Sequence, residues 1–536
     1  MRKILLLLGV LLIVVGVYAA CRGLKGYGME VSYAERLPAV AQAPELPDIS
    51  KFTVESIERK VPPLSIGSVQ LEEMKNWPDL AEFLESDAPR TLRLVQKRIH
   101  PRAIVIRSGN YTIPGLYMAL QRTDAPDAIV RKGETYTLRM PLLVASKASL
   151  TVSGKDVGEL RLSKDRGVFI ASSGNLFFIR TKVSGWNEKE KKPSWFKDKH
   201  DFRPFITAWS GGKLYAAKTT VRSLGYLKGK AYGFSYSTCV ACLKKNLDLP
   251  RPTGEIVESR FSDMYYGFYS YEADDVAIVR NVYADNIVYG IDPHDRSNRL
   301  IIAENEAYGT KKKHGIIGSR EVKHSWIFNN YTHDNHGSGI MLDRTSSHNI
   351  VANNVSTRNG ADGITFFESE DNLSYNNTVL NNGRTGIRAR NSWNIRLQGD
   401  QIAGNGGPAV HVYTARLEEK EKHRDFELDP YTQRAGAEVI DVSIRTPDDV
   451  AAFKIGDSID GLKISGLRLL SLPRLFAGKI SDDKTLLTRV QEEGTLVSLT
   501  PRRLAKTSEN GKLSRTDLRT GESRLALSSR PQVTSK

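Results

Sequence analysis

Cysteine is scarce: three residues in 536. That excludes a disulfide-stapled scaffold. Long apolar runs are scarcer still. Only Ile4 to Ala20 approaches the ~20 residues that cross a bilayer, which excludes a multi-span membrane protein. The glycine-aspartate nonapeptides that bind calcium are missing. So are the leucine pattern of a leucine-rich repeat and the ~40-residue period of a WD-type blade. Acidic residues are the minority charge, 61 against 77 basic, for a net charge of +16. The excess is either general surface charge or the mark of an anionic partner: nucleic acid, an acidic membrane surface or a polyanionic polymer. With 40% apolar and 26% charged residues, the chain has the composition of folded protein.

The N-terminus narrows the choice of partner. Arg2 and Lys3 precede the apolar run, as in a secretory signal, and Val17 and Ala19 allow a cut after Ala19. The run is also nearly long enough for an uncleaved anchor, and Cys21 after Ala19-Ala20 hints at a lipoprotein site. All three readings export the chain. An exported basic protein points away from nucleic acid and towards an anionic polysaccharide. The other cysteines form Cys239-Val-Ala-Cys242. A single C-x-x-C is a weak zinc signal. In an oxidising compartment it is a local disulfide or a packed pair, so no chemistry is assigned to it.

Self-similarity dominates residues 252–412. Asn281, Asn305, Asn330, Asn354 and Asn377 recur at intervals of 24, 25, 24 and 23. Gly267, Gly290, Gly315, Gly339, Gly363 and Gly386 run in parallel, and Ile291, Ile316, Ile340, Ile364 and Ile387 follow the last five. Short apolar strands without helical period, in units of this length, predict a parallel β-helix. Each Asn then bonds its counterpart in the next coil, each Gly supplies a tight turn where a Cβ would clash, and the isoleucines fill the bore. Residues at equal offsets from the glycine become neighbours about 4.8 Å apart.

That register brings chemistry together. After the glycines lie His294-Asp295, Ser319-Arg320, Asp343-Arg344, Phe367-Glu368 and Arg390-Asn391. Asp292 and His294 share strand parity, so both can face outward, with Arg320 one coil along and Arg344 one further. His294 and Arg320 are expected within about 8 Å of each other. Such a row is either a polar ladder that keeps the face soluble or a site. Pro293 stiffens the backbone between Asp292 and His294, which suits a preorganised site. Lys311, Lys312, Lys313 and His314 precede Gly315 and extend the row into a basic groove that attracts carboxylates. His314 is either a ligand contact or a satisfied turn residue. Tyr289, one coil earlier, either packs or donates a proton. The remaining histidines lack metal-ligand spacing, so neither a metal nor a cofactor is expected.

These residues carry a resemblance. Tyr289-Gly-Ile-Asp-Pro-His-Asp-Arg296, Tyr308-Gly-Thr-Lys-Lys-Lys-His-Gly-Ile-Ile317, Ser319-Arg-Glu321, Leu342-Asp-Arg344 and Ser262 to Tyr269 resemble the periplasmic mannuronan C5-epimerases of alginate biosynthesis (AlgG type). The likeness runs from about 200 to 412, and the Asp-Pro-His-Asp quartet is its most specific part. It implies a right-handed parallel β-helix, polymannuronate as substrate, the periplasm as location and membership of an alginate secretion complex, with a monomer outside it. It implies His294 as catalytic base and Arg320 as the group that neutralises the uronate carboxylate. Asp292 and Asp295 complete the motif, and Tyr289 lies near the site.

The chemistry agrees. The C5 hydrogen of a mannuronate is α to a carboxylate and barely acidic, because its loss adds charge to a group already negative. A fixed guanidinium stabilises that charge as a fork, and a neutral imidazole is a suitable base near pH 7. Asp292 or Asp295 orients the ring. A proton returned to the opposite face, from water or Tyr289, gives guluronate. A β-elimination lyase shares the first half-reaction, and a non-catalytic polysaccharide-binding β-helix shares the fold. Both remain alternatives at this point.

The expected organisation is a signal or anchor at 1–20, a linker and N-terminal cap at 21–95, a parallel β-helix at 96–500 and a disordered basic tail at 501–536. Two charged insertions are expected beside the rod. Residues 187–202, with Trp195 and Phe196, form a loop over one face. Residues 417–434 form a lid or helix beside the groove.

Overall fold

The computed structural model describes residues 29–35, 43–77, 87–239, 249–418, 421, 424–427, 429–456, 458–471, 474–478, 484–492 and 494–501. The signal or anchor at 1–20, Cys21, Cys242 and the basic tail after Pro501 lie outside the described residues. Among those residues, the chain winds into three sheets of fifteen strands. Each coil contributes one strand to each sheet, and the pairs between coils are parallel.

Three repeated features stack the coils. The first is the bore. Ile291, Ile316, Ile340, Ile364 and Ile387 are all buried in one continuous apolar core. Each such burial stabilises by roughly 1.5–3 kcal/mol relative to exposure. The second is an amide ladder. Asn281 donates from Nδ2 to Asn305 Oδ1 (3.1 Å) and to the Ile256 carbonyl (2.8 Å), and its backbone N–H donates to the same Asn305 oxygen (3.0 Å). The pattern repeats through Asn330, Asn354 and Asn377 and ends on Asp400, which accepts from Asn377. A second ladder runs from Asn335 through Asn359 and Asn382 to Asn405. Amides suit these buried positions because one side chain both donates and accepts.

The third feature is steric. A Cβ on Gly290 would sit 2.4 Å from the Gly315 carbonyl oxygen of the next coil, so glycine is needed there for close approach. Sequence reasoning gave these glycines the turns. The left-handed corners are instead taken by side-chain-bearing residues, including Asp295, Arg320, Arg344 and Glu368 at φ 40°, 62°, 51° and 51°. One corner conformation thus presents four charged side chains in the same way.

Within 29–73, the described pieces lie at both ends and along one side of the rod. Val69–Glu73 pairs antiparallel with Arg102–Ile106 in the first coil. Helix Val54–Lys60, capped by Thr53, lays Val54 and Ile57 on the outer face beside Phe177, Ala217, Val257 and Val279. Met29–Glu35 lies at the far end, antiparallel to Thr495–Pro501. Cys239 is buried and disulfide-bonded.

Candidate active site

One sheet carries the candidate site, through strands Tyr266–Tyr271, Tyr289–His294, Ile316–Ser319, Ile340–Asp343, Ile364–Phe367 and Ile387–Arg390. Register pairs Tyr269 with Asp292, and Tyr271 with His294. His294 then pairs with Ser319, Ser319 with Asp343, Asp343 with Phe367, and Phe367 with Arg390. Alternate residues, Ile291 among them, fill the bore, so Asp292 and His294 belong to the outer face. The corner residues that follow form the row Asp295, Arg320, Arg344 and Glu368.

The imidazole and the guanidinium meet on one carboxylate. His294 Nδ1 bonds Asp295 Oδ2, and Arg320 Nη1 lies 3.5 Å from Asp295 Oδ1. Burial alone would raise the Asp295 carboxyl. The hydrogen bond from His294 and the charges of His294 and Arg320 outweigh it and hold the group below the usual carboxylate range. An ionised carboxylate accepts only, so in the neutral imidazole Nδ1 carries the proton and Nε2 keeps its lone pair. Of the two carboxylates considered as orienters, Asp295 makes the contact.

Asp292 is fully buried, and neither of its oxygens has a hydrogen-bond partner. Burial, with the nearby charge of Asp295, pushes its carboxyl well up. Burial thus disfavours its charged form, and it lies close to an aromatic wall. Tyr266 meets Tyr289 edge-on at 5.0 Å, and the Tyr269 ring lies 5.8 Å from His294. Tyr289 is 9% exposed and stacks on His314 at 6.0 Å. Lys313 Nζ donates to its hydroxyl at 3.2 Å, and burial pushes the phenol well up.

The basic run divides. Lys313 turns to Tyr289, Lys312 lies over the Phe196 ring at 5.2 Å, and Lys311 is exposed. His314 is a satisfied turn residue: its Nδ1 accepts from the Ser338 backbone N–H at 2.9 Å. Burial, then the charge of Lys313, pushes its pKa down to about 4, so the ring is neutral. Arg344 contacts Asp429 (3.2 Å) and Glu421 (3.5 Å) of the 417–434 insertion. The other insertion brings Phe196 against Tyr265 at 6.0 Å and is tied down by buried Arg203, 2.8 Å from Asp263.

Sequence reasoning missed Lys230. It rises from a loop before Gly233, donates to the Tyr269 hydroxyl at 3.2 Å and lies 3.2 Å from the Tyr271 ring centre. Its charge lowers the carboxyls of both Asp292 and Asp295. It falls in no repeat, so no register signal marks it. Asp429 was missed for the same reason.

Known proteins are similar to this chain over most of their length. A family model described as "Right handed beta helix region" matches residues 251–417. The mannuronan C5-epimerase of Pseudomonas putida is 41% identical over 442 residues, 81% of this chain and 84% of that protein. Mannuronan C5-epimerase AlgG of Azotobacter vinelandii is 43% identical over 74% of each chain. Among solved structures, the crystal structure of the periplasmic alginate epimerase AlgG is 38% identical. It superposes with a TM-score of 0.71 over 81% of this chain and 97% of that one.

Proposed function

Since the chain belongs to the mannuronan C5-epimerase family, we propose that His294, Arg320 and Asp295 carry out its reaction, with Asp292 and Tyr289 completing the site. The reaction converts D-mannuronate to L-guluronate at C5 within polymannuronate. The observation that supports these roles is the shared carboxylate: Asp295 holds the base on one oxygen and the cation on the other.

His294 Nε2 takes the C5 proton. Positioned general bases of this kind contribute about 10²–10⁴-fold. Arg320 forks the uronate carboxylate, so the charge that spreads from C5 onto that group falls on a guanidinium already in place. Asp295 keeps the imidazole in the proton-accepting tautomer and stabilises the imidazolium once formed. Burial disfavours charge on Asp292, which limits negative charge where the carbanion develops. The opposite-face proton comes from water or from Tyr289, whose phenol stays protonated at neutral pH. Lys311, Lys312, Lys313 and Arg344 bind neighbouring carboxylates of the polymer, while His314 supports the wall from beneath Tyr289.

We also infer that the chain works in the periplasm, exported by its N-terminal 20 residues, and that it joins an alginate secretion complex. A relative described as periplasmic and the basic-then-apolar N-terminus support that reading. Outside the complex it is a monomer.

Proton NMR on polymannuronate tests the site. Guluronate signals are expected with wild type, and none with His294→Ala or Arg320→Ala. No ultraviolet-absorbing unsaturated ends should form. Undiminished guluronate formation by both variants would overturn the assignment.

A further inference from the structure

The arginine row already holds carboxylates, and they come from the chain itself. Asp429 Oδ2 lies 3.6 Å from Arg320 Nη2 and 3.2 Å from Arg344 Nη1. Glu421 reaches Arg344 at 3.5 Å and Arg390 at 4.0 Å. Both acids belong to the 417–434 insertion. Arg424, whose side chain is 3% exposed, docks them. It contacts Glu368 (2.6 Å), Glu421 (3.3 Å) and Asp429 Oδ1 (3.2 Å). Glu368 is itself a corner residue of the row and equally buried. The insertion is thus keyed to the rod by a buried ion pair, with Asp429 projecting over Arg320.

Both terminal nitrogens of Arg320 are therefore engaged. Nη1 faces Asp295 and Nη2 faces Asp429. Asp295 also holds His294 and is mostly buried, so it is fixed. Asp429 meets guanidiniums whose side chains are 42% and 31% exposed, where an ion pair is weak enough to exchange with another carboxylate. A uronate carboxylate that forks Arg320 needs the place Asp429 occupies.

We propose that Asp429 is an internal surrogate for the substrate carboxylate. It fills the anion position between Arg320 and Arg344 in the resting enzyme and is displaced when polymer binds. Asp429 thereby sets affinity. It also sets selectivity for chain length, because a short substrate has fewer carboxylates with which to offset the contacts of Asp429 to Arg320 and Arg344. The inference rests on the role given to Arg320 above.

The test uses the full chain. Binding of polymannuronate and of short oligomannuronates is measured by titration calorimetry in the non-turning-over His294→Ala background. KM and kcat are measured by proton NMR in the otherwise wild-type chain. Asp429→Asn and Asp429→Ala are compared with Glu427→Gln, which removes the same charge from an exposed position of the same insertion. Both Asp429 variants are expected to tighten Kd and lower KM about 3- to 10-fold. The gain should be larger for short oligomers, with kcat within about twofold and Glu427→Gln nearly unchanged. Unchanged or weaker binding, a fall in kcat, or equal tightening by Glu427→Gln would each overturn the proposal. Undiminished turnover by Arg320→Ala would instead sink the mechanism, which keeps the two failures distinct.

Discussion

Arg320 and His294 come from adjacent coils and meet opposite oxygens of Asp295, which ties the imidazole and the guanidinium together on one face of the rod. Rotation of either side chain is resisted by the other through that carboxylate. Neither group is on a free loop: His294 ends one strand of the parallel ladder and Arg320 directly follows the next.

Asp295→Asn should keep the shape and lose the tautomer control. An amide no longer demands the proton on Nδ1, and Arg320 loses its fixed anion. Turnover is expected to fall about 10²–10⁴-fold, with KM changed only a few-fold. NMR rates across polymannuronate concentrations give the split. An undiminished kcat would remove Asp295 from the mechanism.

Arg320→Lys retains the charge and loses the planar fork. An ammonium cannot match two carboxylate oxygens, nor hold Asp295 at the same time. A fall in kcat/KM of about 10²–10³-fold is expected from the same assay. Activity near wild type would mean that charge alone suffices.

Proton exchange at C5 is open to direct observation. The proton that His294 removes and the one that arrives opposite are different atoms, and both candidate donors exchange with solvent. In deuterium oxide, each new guluronate residue should therefore lack its H5 signal, whereas unreacted mannuronate keeps it. Retention of H5 in the product would exclude this route.

Stability should respond to Asp400, the foot of the amide ladder. Its Oδ1 accepts from Asn377, but its buried Oδ2 has no partner, and burial pushes the carboxyl up to about 7 from 3.8. Below pH 3.8 the group is protonated in both folded and unfolded chains and makes no difference. Between 3.8 and about 7 the unfolded chain ionises while the folded chain keeps its proton, so stability falls as pH rises. Above about 7 the loss is complete. Asp400→Asn removes this dependence and extends the ladder with an amide. Denaturant unfolding at pH 8 should show a gain of roughly 1–3 kcal/mol, shrinking towards pH 4. Equal stability of the two chains at pH 8 would contradict this cost of burying Asp400.

What the sequence made legible follows from periodicity. A constant repeat converts distance along the chain into lateral neighbourhood, so His294, Asp295, Arg320 and Arg344 could be aligned by counting from the glycines. The same counting carried Asn281 to Asn377 into a ladder. The second ladder, from Asn335 to Asn405, had the same signal at another offset and went unread. Lys230 and Asp429 sit in excursions of no fixed length, whose landing points depend on tertiary docking through Arg424–Glu368 and the Tyr269 region. The glycine column was assigned to turns because glycine so often supplies them. The expected clash is borne out and is with the carbonyl of the next coil, while the left-handed turns fall to the charged corner residues.

The pairing of Met29–Glu35 with Thr495–Pro501 has a consequence for solubility. A stack of coils leaves unpaired backbone at its last rung, a ready template for another molecule to continue. Here Thr495–Pro501 closes one sheet antiparallel to Gly461–Ser465, and Met29–Glu35 pairs antiparallel with it in turn, placing Glu30 and Glu35 on the new border. A protein trimmed ahead of Ala43 would leave Thr495–Pro501 as that border, and a greater tendency to associate through it is the expected consequence.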